Sequence, residues 1–331
     1  NSIALTSTLK TTRSTSDPQA TQLNTEVKVG VYAVSGDACI SKGDNNQHAV
    51  DVNGDLSTSS KMVWPSAGSV NIYAYAPYNA DWTYTSETKT FSVAIDQTTD
   101  AGYLASDLVS ASKENQASSE SAVSLIFGHK LSQLQITINN QASLDLSKAA
   151  VYVTGTKITT TFNPTTSDIG DATGEATDIK SVAALGTDTK AYTIVVPQTI
   201  AANTALVKIT TAEKTYIAKL SSAATLVSGK AYKFTVTLTS STEPVVEVPI
   251  SLSATSLTEW GEPTDLGAAT MEEVVSYEIG DYVLTDGTFL KTSAYATASA
   301  EDKAKVAGII FSKNVSTIDA TAGYNAYAVG L

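Results

Sequence analysis

The chain has 331 residues, a length that suits about two or three small domains better than one. Charged residues are 16%, below the usual roughly 25%, and Ser and Thr fill the gap, which favours pleated strands over helices. A formal charge of -12, with no Lys/Arg cluster as a local exception, repels phosphate backbones and anionic lipid and argues against nucleic-acid or membrane-surface binding.

At the amino end Ile3, Leu5 and Leu9 alternate with small or polar residues ahead of a Thr/Ser-rich segment that contains Arg13. The alternation predicts an edge strand of a first sandwich, with one apolar face, on a polar tether; the competing reading is a plain disordered terminus. Short alternating runs follow at Val27 to Val34, His48 to Val52, Val70 to Tyr75 and Thr90 to Ile95. Punctuated by Gly, Asn and Asp, they predict a first β-sandwich. Asn53-Gly54, between Val52 and Leu56, predicts a tight hairpin turn. The oxygens of Asp51, Asn53 and Asp55 lack the downstream bidentate Glu of a calcium loop, so the turn outweighs the metal. Ser110 to Ser121 carries no apolar period and reads as an interdomain linker.

A second set of strands is expected at Val123 to Phe127, Leu131 to Ile138, Ala150 to Val153 and Lys157 to Phe162. It continues at Tyr192 to Val196, Ala205 to Thr210, Thr215 to Leu220 and Tyr232 to Leu238, enough for another sandwich. Between Phe162 and Tyr192, Gly170, Gly174 and Gly186 mark a long loop of unreadable role. Val246, Val248, Ile250 and Leu252 then alternate with Glu247, Pro249, Ser251 and Ser253. Pro249 cannot donate to a ladder, which confines this strand to a sheet edge or to another molecule's groove. From Met271 the pattern changes to a hairpin at Asp286-Gly287, a helical stretch near Ala298 to Val306, and strands at Ala307 to Phe311 and Tyr324 to Val329. The expected fold class is all-β, in four parts: sandwiches at 1–115 and 116–245, an extended strand and linker at 246–270, and a small α+β appendage at 271–331.

Little here marks chemistry. Cys39 stands alone, without the Cys or His neighbours of a metal site. His48 sits in the polar loop Asn45-Asn46-Gln47, and His129 reads as a strand-end residue bonded to local backbone. No phosphate loop, catalytic constellation, metal site or cofactor is expected. No run reaches the roughly 18 apolar residues of a membrane span, and no charged-then-apolar leader opens the chain, which therefore reads as processed. Tyr73, Tyr75, Tyr78, Trp82 and Tyr84 crowd one stretch; core packing is favoured there, and a carbohydrate platform is the alternative.

Larger motifs occur in a telling order: Thr12-Arg13, Val29-Gly30-Val31-Tyr32, and Trp64-Pro65 leading to Val70-Asn71-Ile72-Tyr73-Ala74-Tyr75-Ala76-Pro77-Tyr78. Asp96-Gln97, Ser106-Asp107-Leu108, the run from Leu125 to Leu131, Val196-Pro197-Gln198 and Gly229-Lys230-Ala231-Tyr232 complete the series. In this order, over about residues 1 to 260, the chain resembles the fimbrillin-like surface proteins of Bacteroides and Porphyromonas, the major, anchor and tip subunits of their fimbriae. The resemblance implies two transthyretin-like, Greek-key sandwiches in tandem and export as a lipoprotein precursor to the outer membrane. It also implies assembly by donor-strand exchange after an arginine-specific protease removes the first strand. Arg13 is then the processing site, Ile3, Leu5 and Leu9 belong to the removable strand, and Val246, Val248, Ile250 and Leu252 to the donor strand. The implied partners are other fimbrial subunits, the protease, and a host or microbial surface ligand. The chain departs from the pattern in lacking an amino-terminal lipid-modified cysteine. Because a folded module after the donor strand would obstruct donation, the appendage points to a tip subunit. The competing function is a free surface lipoprotein that binds glycans, and nothing marks an enzyme.

Overall fold

The computed structural model describes residues 2–9, 23–85, 87–184, 189–212, 214–238, 264–273, 278–285, 289–312 and 327–330. The chain divides into two compact units, Asn1–Glu272 and Glu273–Leu331.

The first unit opens with β1 (Leu5–Leu9), β2 (Lys28–Ser35), β3 (Ala38–Cys39), β4 (Asn46–Val50), β5 (Asp55–Ser57) and β6 (Val70–Ala76). It continues with β7 (Lys89–Ser92), α1 (Asp100–Ser106), β8 (Val109–Gln116) and β9 (Val123–His129). Eight of these strands pair in the order β3-β2-β4-β5-β1-β9-β8-β6, and β6 pairs back onto β2, so the ladder closes on itself. Closure removes edges on which foreign strands could pair.

Alternation along β2 explains why this ladder sits between two cores. Val29, Val31 and Ala33 enter one buried cluster with Ile3, Leu5 and Phe127, whereas Tyr32 and Val34 enter the other. A strand buried on both faces reads as a continuous apolar run, as β2 does. Gly30 within it pairs opposite Tyr75 of β6, and a Cβ on Gly30 would stand 2.4 Å from the Tyr75 ring. The glycine is therefore the seat of that ring.

The remaining strands of the unit begin with β10 (Ser132–Asn140), β11 (Ala150–Val153), β12 (Lys157–Phe162), β13 (Thr173–Ala176), β14 (Ile179–Lys180) and β15 (Val182–Ala184). They end with β16 (Lys190–Val195), β17 (Thr199–Ile200), β18 (Ala205–Thr210), β19 (Thr215–Lys219), β20 (Ala224–Thr225), β21 (Ala231–Leu238) and β22 (Thr264–Thr270). One sheet runs β15-β16-β10-β21-β22 and another includes β14-β11-β18-β19. Ile136 of β10 and Val207 of β18 share a buried cluster with Tyr32, Tyr75 and Trp82 from the first half. Moreover β7 pairs with β12, Phe91 opposite Thr160.

Three expectations change. Ser110 to Ser121 is not a linker: residues through Gln116 form β8, which pairs Ser112 with Tyr73, and Ser119 C=O accepts the indole N–H of Trp64 at 3.1 Å. A ladder uses only backbone N–H and C=O, so an exposed polar strand joins it without any apolar period. β9 likewise pairs with β1 and β8 in the first sheet rather than opening a second sandwich, and the two halves share one unit. The long loop after Phe162 contains β13, β14 and β15.

In the second unit, strands Phe289–Leu290, Tyr282–Leu284, Val306–Ser312 and Tyr327–Gly330 form an antiparallel sheet, with short helices at Thr292–Tyr295 and Ala300–Ala304. Asp281, 3% exposed, organises its turn by accepting from the backbone N–H of Glu278 at 2.8 Å and of Thr292 at 2.9 Å, and from Lys291 Nζ at 3.0 Å. Burial pushes its carboxyl up, but these donors outweigh that and hold its pKa at about 2. The expected turn at Asp286-Gly287 lies outside the described residues.

Candidate assembly site around the first strand

β1 is not the edge strand expected of a removable segment. It lies inside the ladder, antiparallel to β5 with Leu5 opposite Leu56, and parallel to β9 from Leu5 opposite Val123 to Leu9 opposite Phe127. Its two neighbours therefore meet through it, and it is the piece that closes the ring.

Side-chain alternation fixes its face. Ile3 and Leu5 are 7% and 3% exposed and enter the cluster with Leu56, Met62, Val123 and Phe127. Burying two such side chains contributes about 3–6 kcal/mol before ordering costs. The backbone is held as well: Ile3 N–H donates to Met62 C=O at 2.9 Å, and Val123 N–H to Ala4 C=O at 2.9 Å.

Ser7, the next inward residue, was not legible as a site residue. It is buried, and both its N–H and its Oγ–H donate to Gly54 C=O, each at 2.7 Å. Gly54, at φ +86°, brings its backbone so close that a Cβ there would stand 2.5 Å from Ser7 C=O. The Asn53-Gly54 turn thus does two things: it closes the β4–β5 hairpin, with Asp51 Oδ1 accepting from Asn53 and Asp55 N–H at 2.8 Å each, and it clasps β1. Period-two spacing from Ile3 and Leu5 was the signal that placed Ser7 inward.

Leu9 is placed by its backbone only; Arg13 and the run Val246, Val248, Ile250 and Leu252 lie outside the described residues.

Elsewhere the marked residues serve packing. Tyr75 stacks with Tyr32 at 5.8 Å and meets Trp82 in a tilted contact at 4.9 Å, and Trp82 meets Phe162 at 6.0 Å, so Tyr75 and Trp82 of the aromatic stretch supply core. Gln97 is fully buried; its Oε1 accepts Ile194 N–H and its Nε2–H donates to Ile194 C=O, both at 2.8 Å, as a strand partner would. His48 lies in β4, not in a loop, and burial pushes its imidazole down. His129 also meets a carboxylate: its Nδ1 lies 2.7 Å from Asp107 Oδ1, and both side chains are buried. Burial pushes the Cys39 thiol up to about 11, away from nucleophilic reactivity. Among the described residues no three His, Cys, Asp or Glu side chains gather as metal ligands.

Comparison with known proteins follows this geometry. A candidate cell adhesion protein from Bacteroides ovatus superposes with a TM-score of 0.57 at 18% identity, covering 72% of this chain and 92% of that one. A second candidate cell adhesion protein, from Bacteroides uniformis, gives 0.52 at 24% identity over 72% and 94%. A fimbrial protein from Bacteroides ovatus covers 94% of this chain and 56% of its own at 15% identity, with a TM-score of 0.42. Among curated proteins none matches in sequence. The fimbrillin-like family model matches residues 12–252, most of the first unit, and the chain belongs to that family.

Proposed function

We propose that this protein is a subunit of a cell-surface fimbrium, assembled by exchange of its first strand. The observation that carries the reading is the place of β1, which alone joins β5 to β9. Cleavage after Arg13 would free residues 1–13 from the rest of the chain. Loss of β1 then opens the ladder and exposes the Ile3 and Leu5 cavities together with unpaired groups on both neighbours. Such an edge accepts an extended strand from another chain. The run Val246, Val248, Ile250 and Leu252 is the donor segment in this reading, and an arginine-specific protease is the trigger.

Family membership supports export to the cell surface, with a lipoprotein precursor as the finer proposal. The second unit follows the donor segment, where it would obstruct donation, and this favours a tip position with a host or microbial surface ligand. A glycan platform on the aromatic stretch loses two of its five rings, since Tyr75 and Trp82 are buried.

Arg13→Ala tests the mechanism. The variant should fold and remain a monomer that cannot enter fibres, whereas wild type cut by a trypsin-like protease should enter. Equal incorporation of Arg13→Ala would overturn gating by cleavage, and immunogold labelling along fibre shafts would overturn the tip position.

A further inference from the structure

We infer that the position held by Ser7 is a size filter that sets the register of the incoming strand, admitting only a small residue there. The inference rests on the strand-exchange reading and specifies the partner it takes: a strand with two inward aliphatic residues followed by an inward Ala or Ser, free of proline from the Leu5 position onward.

The filter follows from the contact with Gly54. Ser7 Oγ stands 2.7 Å from Gly54 C=O, a distance suited to a hydroxyl. A carbon in its place would sit well inside the roughly 3.3 Å at which carbon meets a carbonyl oxygen. The turn cannot withdraw cheaply, because the same carbonyl takes the Ser7 N–H at 2.7 Å and Gly54 already lies against the backbone of β1. Ile3 and Leu5, by contrast, occupy apolar core suited to aliphatic groups.

Three registers would seat the alternating run in this slot. With Val246 at the Ile3 position, Ile250 falls on the filter and Pro249 falls on Thr6, which pairs with Asp55 on one side and Ser124 on the other. Proline there removes a ladder donor from the interior of a sheet. With Val248 at the Ile3 position, Leu252 falls on the filter. With Ile250 at the Ile3 position, Leu252 replaces Leu5, Ala254 meets the filter, and Pro249 falls on Ser2, ahead of β1. Only this register satisfies both conditions.

The two segments then align without a gap: Ile3-Ala4-Leu5-Thr6-Ser7-Thr8 against Ile250-Ser251-Leu252-Ser253-Ala254-Thr255. First, third and sixth residues are identical, the fourth keeps its hydroxyl, and the fifth stays small. Residues 250–255, outside the described residues, thus repeat the sequence pattern of β1. The occupant is a segment of this pattern on the fimbrial subunit behind; this chain, at the fibre tip, uses its slot alone.

The full chain, nicked after Arg13 by an arginine-specific protease, is unfolded in denaturant and refolded with an excess of a synthetic peptide of residues 246–257. Native mass spectrometry reads which strand fills the slot, the peptide or residues 1–13. The peptide should compete with residues 1–13, Ala254→Leu should compete at least about tenfold less well, and Ala254→Ser about fivefold better through the regained hydroxyl bond. If Ala254→Leu competes as well as the parent peptide while Leu252→Ala fails, strand exchange stands and the filter is wrong. If no peptide of this segment competes with residues 1–13, the donor reading falls and the register with it.

Discussion

Ser7 and Gly54 meet backbone to backbone, 47 positions apart, with two donors of Ser7 on one carbonyl of Gly54. Gly54 serves here because its φ of +86° and the missing Cβ are both needed. Gly54→Ala should therefore loosen β1. Gly36, at φ +62° with nothing within 4 Å of its would-be Cβ, provides the control for backbone strain alone. Both alanine variants should lose about 1–2 kcal/mol from the left-handed backbone. Only Gly54→Ala should also speed hydrogen exchange at the Ser7 amide, and equal exchange in the two variants would refute the clasp.

Leu5 anchors the strand on the same inward face as Ser7, 3% exposed among Leu56, Val123 and Phe127. Truncation to alanine leaves a cavity, and Leu5→Ala should cost about 2–5 kcal/mol in the uncleaved chain. If β1 detaches before the rest unfolds, the loss shows as exchange at β1, β5 and β9 ahead of the urea transition. An unchanged urea midpoint together with unchanged exchange would mean that β1 adds nothing to the ladder.

Apolar alternation made much of this legible. Ile3 and Leu5 announce one face of β1, and the unbroken run in β2 reflects burial on both faces. The misreadings share one physical cause, since a ladder is built from backbone groups that every residue carries. Ser112 and Lys113 pair in β8 as well as valines would, so their polarity hid a strand. Gly54 reads as a turn residue, and only the fold brings it to Ser7. His129 and Asp107 likewise meet across 22 positions, a pairing that spacing alone does not encode.

Gln97 holds the two halves of the first unit together. Its carboxamide satisfies both backbone groups of Ile194, and both residues are fully buried. Gln97→Ala should cost about 2–4 kcal/mol, because a buried N–H and C=O lose their partners at once. Limited proteolysis offers a second readout. Wild type should resist cleavage within β8, and Gln97→Ala should raise cleavage between β7 and α1. A loss under about 0.5 kcal/mol would mean that these groups find other partners.

Asp281 couples the second unit to pH. Its carboxyl, ordinarily near 3.8, is held at about 2 when folded, so the unfolded chain takes up the proton first as acid is added. The carboxylate's contribution is fully present above about pH 5 and is lost as the pH falls through about 2. The bonds at stake are those from Glu278 and Thr292 N–H and from Lys291 Nζ. Protection of the Thr292 amide, corrected for intrinsic exchange, should stay level from pH 7 to about 5 and then fall. Asp281→Asn keeps one carbonyl acceptor but forfeits the charge that favours Lys291, so its protection should be lower at pH 6 and should change little down to pH 2. Parallel acid profiles for wild type and Asp281→Asn would show that another group carries the dependence.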